Sequence, residues 1–185
     1  MAVAHDKPKY TVEDYMRLPE GERVELIGGE LLVSPSPREK HQRVSAEIEI
    51  QIGLWAKQSG LGIMYHAPFD VVLSKHDAVQ PDILFISRER KEIITDANVQ
   101  GAPDLIVEIL SPGTEKRDTV AKKALYERHG VREYWIVDPD ADTIEVFVAR
   151  ERKFISLRIF SGADILESPA LPGFRISLKD VFSTP

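Results

Sequence analysis

Asp104-Leu105-Ile106-Val107-Glu108-Ile109-Leu110-Ser111-Pro112-Gly113, followed by Thr114 and a run to His129-Gly130, is the stretch on which the reading of this chain turns. Residues 104 to 110 are almost continuously apolar, which is the pattern of a strand covered on both faces. Ser111-Pro112-Gly113 breaks the chain, Thr114 is a good N-cap, and Glu115 to His129 reads as a helix closed by Gly130. Strand, turn and helix are contiguous, with Glu108 in the middle of the apolar strand. An unpaired charge there would cost several kcal/mol, so Glu108 must be protonated, paired with Arg117 or a lysine, or bound to a cation.

Downstream, Glu133 to Val137 and Thr143 to Ala149 form a hairpin around Asp138-Pro139-Asp140-Ala141-Asp142, with Lys153 to Phe160 as a third strand. The tail from Ser161 is loop-rich and ends in Leu178 to Phe182. Upstream, Pro37 to Ser59 reads as a long helix, because Val44, Ile48, Gln51, Ile52 and Trp55 recur at three- and four-residue steps and Gly60 supplies a stop. Three β-like segments follow, at Gly62 to His66, Phe69 to Ser74 and Pro81 to Ser87, the first two being one bent strand or a hairpin through Ala67-Pro68. A weakly periodic helix lies between Arg88 and Ala97. Near the N-terminus, Thr11 caps a short helix over Val12 to Leu18, and Arg23 to Ile27 and Glu30 to Ser34 flank Gly28-Gly29 as a hairpin. The expected fold is a mixed α/β sheet flanked by helices, with an N-terminal hairpin and a C-terminal antiparallel meander. One domain spans residues 1–185, with a core over about 10–150 and a C-terminal extension from 151.

Composition narrows the chemistry. The 185 residues are 43% hydrophobic and 29% charged, as in an ordinary soluble domain. No apolar run approaches the roughly 20 residues that cross a bilayer, and the polar start of the chain carries no secretory pattern, so a cytoplasmic protein is expected. The absence of cysteine excludes disulfides, thiolate metal sites and cysteine nucleophiles. A net charge of −6 argues against broad coating of nucleic acid while leaving room for a local basic groove. There is no phosphate-binding glycine loop and no nucleophile elbow.

Besides Glu108, two residues stand out. Asp82 follows Pro81 at the entry to an apolar strand, where a solvated carboxylate is the plainer reading. Lys122 precedes Leu125 and Tyr126 by three and four residues and so borders the inward stripe of its helix, whereas Lys123 lines up with Thr119 and Glu127 on the polar face. An ordinary Asp118–Lys122 helix pair, worth a few tenths of a kcal/mol, is the alternative for Lys122.

Pro81-Asp82, Glu108 and Lys122 together resemble the active-site signature of the PD-(D/E)xK nuclease superfamily. The segments Val24 to Leu31, Ser34-Pro35, His41-Gln42, Gln80-Pro81-Asp82, Gly101 to Pro112, Asp118, Lys122 to Tyr126 and Gly130 to Pro139 are similar to those of the Uma2 restriction endonuclease family, over about Tyr10 to Val148. The resemblance implies a restriction-endonuclease-like fold and a metal-dependent endonuclease that hydrolyses phosphodiester bonds in DNA. It departs from the superfamily pattern at Leu110, where the lysine two residues after the acid is expected, and implies that Lys122 has taken over that role from the following helix. Asp82 and Glu108 would then hold magnesium, or manganese in its place, with a backbone carbonyl such as that of Ile109 completing an all-oxygen set. Glu25 is a further acidic candidate, evenly weighed against a structural strand carboxylate. His41, Lys116 and Arg117 are candidates for contacting the DNA backbone, with a solvated face as the alternative for the two cations. Cutting both strands would call for a homodimer. The rival readings are a non-catalytic DNA-binding or interaction module that keeps the nuclease fold, and a nuclease acting on RNA or repair intermediates.

Overall fold

A computed structural model describes residues 9–19, 23–113 and 117–183, and in it the apolar segment around Glu108 lies inside the main sheet. In chain order the elements are α1 (Val12–Tyr15), β1 (Val24–Ile27), β2 (Glu30–Val33), α2 (Glu39–Ser59), β3 (Gly62–His66), β4 (Val71–Ser74), β5 (Asp77–Val79), β6 (Ile83–Ser87), a 3-10 segment (Arg88–Ile93), β7 (Val99–Gln100) and β8 (Leu105–Ile109). A π-helical segment (Arg117–Lys122) then runs into α3 (Lys123–His129), followed by β9 (Glu133–Asp138), β10 (Thr143–Arg150), β11 (Lys153–Ser161), β12 (Ile165–Glu167), β13 (Arg175–Ser177) and α4 (Leu178–Phe182). The six-stranded sheet has the order β11-β10-β9-β8-β6-β3, and a five-stranded sheet has the order β2-β1-β5-β4-β7. Strand β8 pairs antiparallel with β6 and parallel with β9, and all five of its residues are buried, as its composition requires.

Alternation along β8 separates two cores. Leu105, Val107 and Ile109 join Val44, Ile48 and Ile52 of α2, while Ile106 joins Leu125, Tyr126 and Tyr134 on the other face. Glu108 shares the face of Ile106 and is therefore directed toward the π segment and α3. The inward stripe of α2 runs through His41, Val44, Ser45, Ile48, Ile52 and Ala56, and Gly60 ends the helix in the left-handed region at φ 64°. Gln51 lies off that stripe. Gly28 and Gly29 take φ of 61° and 86°, as a two-residue hairpin turn demands.

Several elements differ from the sequence expectation. Helix α1 stops at Tyr15 rather than Leu18, because Arg17 and Leu18 donate to Asp14 and Tyr15 in tightened i→i+3 turns. Strands β3 and β4 are neither one bent strand nor a hairpin, since they belong to different sheets. The helix expected over Arg88 to Ala97 is a 3-10 segment ending at Ile93. The helix expected from Glu115 is π-helical up to Lys122, and Thr114, Glu115 and Lys116 lie outside the described residues. The tail is part of the main core: β11 forms one edge of the large sheet, and Leu166, Leu171, Phe174, Ile176 and Val181 pack on the α2 side. Among the described residues no helix is long and apolar enough to cross a membrane.

Ile48 is fully buried and Ile50, on the same helix, is 55% exposed. Ile48→Ala should therefore lower unfolding stability by about 2–5 kcal/mol, and Ile50→Ala by no more than about 0.5 kcal/mol, in urea titrations of the two variants. Equal losses would contradict the orientation of α2.

Candidate active site

Three elements converge on one buried ammonium group. Glu25 comes from β1, Glu108 from β8, and Asp118 and Lys122 from the π segment, and all four are at most 3% exposed. Lys122 Nζ lies 2.8 Å from Glu25 Oε1, 2.9 Å from Glu108 Oε1 and 3.5 Å from Asp118 Oδ1. Tyr126, one turn further along, donates its hydroxyl to the same Glu108 oxygen at 2.5 Å. The π segment explains how this comes about. Its wider i→i+5 turns place both Asp118 and Lys122 on the buried side, and the regular helix that follows brings Tyr126 onto the same face.

Asp82 stands just before β6 and reaches the neighbouring strand. Its Oδ2 accepts the backbone N–H of Ile109 at 2.8 Å and lies 3.3 Å from His41 Nε2, in the first turn of α2. The Gln80 N–H donates to Glu25 Oε1 at 3.0 Å, so the Gln80-Pro81-Asp82 segment is pinned both to β1 and to β8. Arg117 is turned inward. Its Nε lies 3.6 Å from Glu25 Oε2, and its Nη2 donates to Ser34 Oγ at 3.0 Å.

A cavity of about 50 Å³ is lined by these groups, among them Glu25, His41, Asp82, Glu108, Ile109, Arg117 and Lys122. Four acids, Glu25, Asp82, Glu108 and Asp118, here face three cations, Lys122, Arg117 and Arg23. Burial, reinforced by Asp118, Asp82 and Glu25, outweighs Lys122 and holds the Glu108 carboxyl well above its ordinary range. Burial works against the Lys122 charge, but Glu108, Glu25 and Asp118 outweigh it and raise its pKa, so the amine keeps its proton. Burial also holds the Tyr126 hydroxyl in its protonated, donating form.

Asp82, Glu108, Lys122, Glu25 and His41 are therefore brought together around one cavity, and Arg117 joins them as a partner of Glu25 rather than as a cation on an outer groove. Lys116 lies outside the described residues. The carboxylates of Asp82 and Glu108 each commit one oxygen to protein donors, and the second makes no hydrogen bond among the described residues. That donor set suits a hard cation completed by water and a backbone carbonyl. Among the described residues no group of three or more His, Cys, Asp or Glu side chains is placed to hold a metal ion, so any cation here would rest on two carboxylates. Sequence reasoning gave no role to Tyr126 and weighed Asp118 only as a helix partner of Lys122. The signal lay in the four-residue spacing Asp118, Lys122, Tyr126, three polar side chains along one stripe.

A family model, Uma2, described as "Putative restriction endonuclease", matches residues 12–179. The fold is similar to that of a crystal structure from Anabaena variabilis described as a "putative nuclease belonging to DUF820", with a TM-score of 0.79 and 23% sequence identity over 93% of this chain and 97% of that one. No curated protein matches. With the family model covering nearly all of the described chain, and with the acids and lysine of its sequence segments gathered around one cavity, the chain belongs to the Uma2 family.

Proposed function

We propose that this protein is a divalent-metal-dependent endonuclease that hydrolyses phosphodiester bonds in DNA. The observation that carries the reading is the buried Lys122 ammonium, bonded to Glu108 beside Asp82 at the wall of one cavity, although the three residues come from separate parts of the chain. Asp82 and Glu108 would hold magnesium or manganese, and such a cation, when bound, offsets phosphate charge and lowers the pKa of bound water. Lys122 supplies a fixed positive charge toward which negative charge can develop, in a setting of low dielectric where that charge counts for more than in water. Glu25 and Asp118 hold the ammonium in place, and Tyr126 fixes the orientation of the Glu108 carboxylate. His41, 3.3 Å from Asp82 in the first turn of α2, orients that carboxylate and borders the path of the DNA backbone. Cleavage of both strands by one centre per chain calls for a symmetric pair of chains, so the proposal includes a homodimer.

A second reading is favoured by one specific feature: the Lys122 ammonium is already surrounded by three carboxylates, as in a purely structural ion network holding together a DNA-binding module. The two readings separate in a plasmid-nicking assay with magnesium. Asp82→Asn, Glu108→Gln and Lys122→Met should each lower nicking by about 100-fold or more, Glu25→Gln by a smaller factor, and Lys123→Ala should leave it near wild type. DNA binding by the wild-type chain without magnesium-dependent nicking would favour the module. RNA and branched DNA run in parallel in the same assay identify the substrate.

Stability supplies an independent check on the network. Lys122→Met leaves Glu25 and Glu108 buried without their cation and should cost about 3–5 kcal/mol in chemical denaturation at pH 8. Lys123→Ala, which removes only an ammonium 3.6 Å from the centre of the Phe147 ring, should cost about 1 kcal/mol or less.

A further inference from the structure

A larger cavity lies at the other end of the central sheet. Strand β6 begins next to Asp82 and ends at Ser87, and β8 runs from Leu105 up to Ile109. The second cavity is lined by Ser87, Asp104 and Glu133, and so is separated from the carboxylates by the length of a strand, roughly 16 Å. Its volume is about 500 Å³, within the roughly 300–1,000 Å³ of small-ligand sites.

The walls are fixed. Glu133, 1% exposed, accepts Ser168 Oγ at 2.9 Å and the Ala170 N–H at 2.7 Å, which clamps the tail segment that closes one side. Pro169 and Pro172 on that side limit its backbone freedom. The half-buried Trp55 is the aromatic wall, backed by the buried Phe85, their ring centres 5.4 Å apart at 58°.

The polar groups around this wall are mostly cationic in what they leave unmatched. Of three acids, Asp104 is engaged by Arg90 at 3.1 Å and Arg132 at 2.9 Å, the buried Glu133 makes no ion pair but is satisfied by donors on Trp135, Ser168 and Ala170, and the exposed Glu89 makes no ion pair among the described residues. Arg88 and Arg150 also line the cavity and make no ion pair among the described residues. The Arg88 guanidinium is held over the end of α2, where a Cβ on Gly60 would meet its Nη2 at 2.8 Å. Guanidinium groups suit phosphate and carboxylate, and rings of this kind suit a flat apolar body.

We propose that this cavity binds a planar aromatic anion of nucleotide size, its ring against Trp55 and its anionic group at Arg88 and Arg150. The site is distinct from the carboxylate centre and stands whether or not that centre cleaves DNA.

The test uses the full chain with adenosine 5′-monophosphate as the probe, and with adenosine and inorganic phosphate as separate arms, followed by calorimetry and tryptophan fluorescence. Trp55 is one of two tryptophans, and the other, Trp135, is fully buried in the core, so a change in emission on binding reports on this cavity. The expected result is saturable binding of the monophosphate at least about tenfold tighter than either arm alone, weakened about tenfold or more by Arg88→Glu and by the exposed Arg150→Glu, and unchanged by Asp82→Asn. Absence of saturable binding, equal binding of adenosine, or indifference to both arginine variants would overturn the proposal. Loss of binding in Asp82→Asn would assign the nucleotide to the other centre and overturn it as well. A dimer that Arg150→Glu splits would place a second copy of the chain over the cavity, with the same consequence.

Discussion

The ammonium of Lys122, 2.8 Å from Glu25 and 2.9 Å from Glu108, is the contact on which the rest of the site depends. Glu25 belongs to the five-stranded sheet, Glu108 to the six-stranded sheet, and Lys122 to the π segment leading into α3. The pairing therefore ties together three separate parts of the fold at one point. None of these side chains could be buried alone. The desolvation of each is offset largely by the others, and removal of the Lys122 ammonium takes from Glu108 its cation and leaves Glu25 with Arg117 at 3.6 Å. The same arithmetic explains why Tyr126 and the Gln80 N–H are recruited, since they donate to carboxylate oxygens that a lone lysine cannot satisfy.

Excess acid is the electrostatic character of the centre. A protein that needed only a structural ion network would gain stability from balanced charges, or from apolar residues of similar volume. Here Asp82 adds a further carboxylate at the cavity wall, held by the Ile109 N–H rather than by a cation, apart from His41. Burial, reinforced by this surplus, raises the pKa of Glu108, while Glu108, Glu25 and Asp118 keep Lys122 protonated against the cost of its burial, and the surplus leaves a place where added positive charge would be welcome. The proposal of a metal-dependent nuclease rests on that surplus together with the family membership.

Much of this was legible in the chain because the responsible signals are local. The apolar run around Glu108 announced a strand covered on both faces, Gly28-Gly29 a tight hairpin, and Gly60 and Gly130 the ends of two helices, since each depends on neighbours a few residues away. Glu108 and Lys122 were legible for a similar reason: a charge inside an apolar strand and a lysine bordering an apolar stripe are visible anomalies, whereas Asp82, a carboxylate at a strand entry, drew its candidate role from the family resemblance. Other features were not. Asp118 shares the stripe of Lys122 and Tyr126, but its burial depends on elements distant in sequence that pack over that stripe, so the spacing alone did not show it. Strands of two or three residues such as β5, β7, β12 and β13 carry too little pattern to stand out, and they exist because of partners distant in sequence. The inward turn of Arg117 depends on Glu25, and the second cavity is assembled from residues spread from Trp55 to Pro172, so neither leaves a local trace.

The most direct measurement is an anomalous difference map from crystals soaked in manganese. The account predicts a peak within coordination distance, about 2.0–2.2 Å, of carboxylate oxygens from both Asp82 and Glu108, with the Lys122 amine close by and unliganded. A map without a peak at full soak, or with one bound elsewhere while Asp82 and Glu108 keep their present partners, would contradict it.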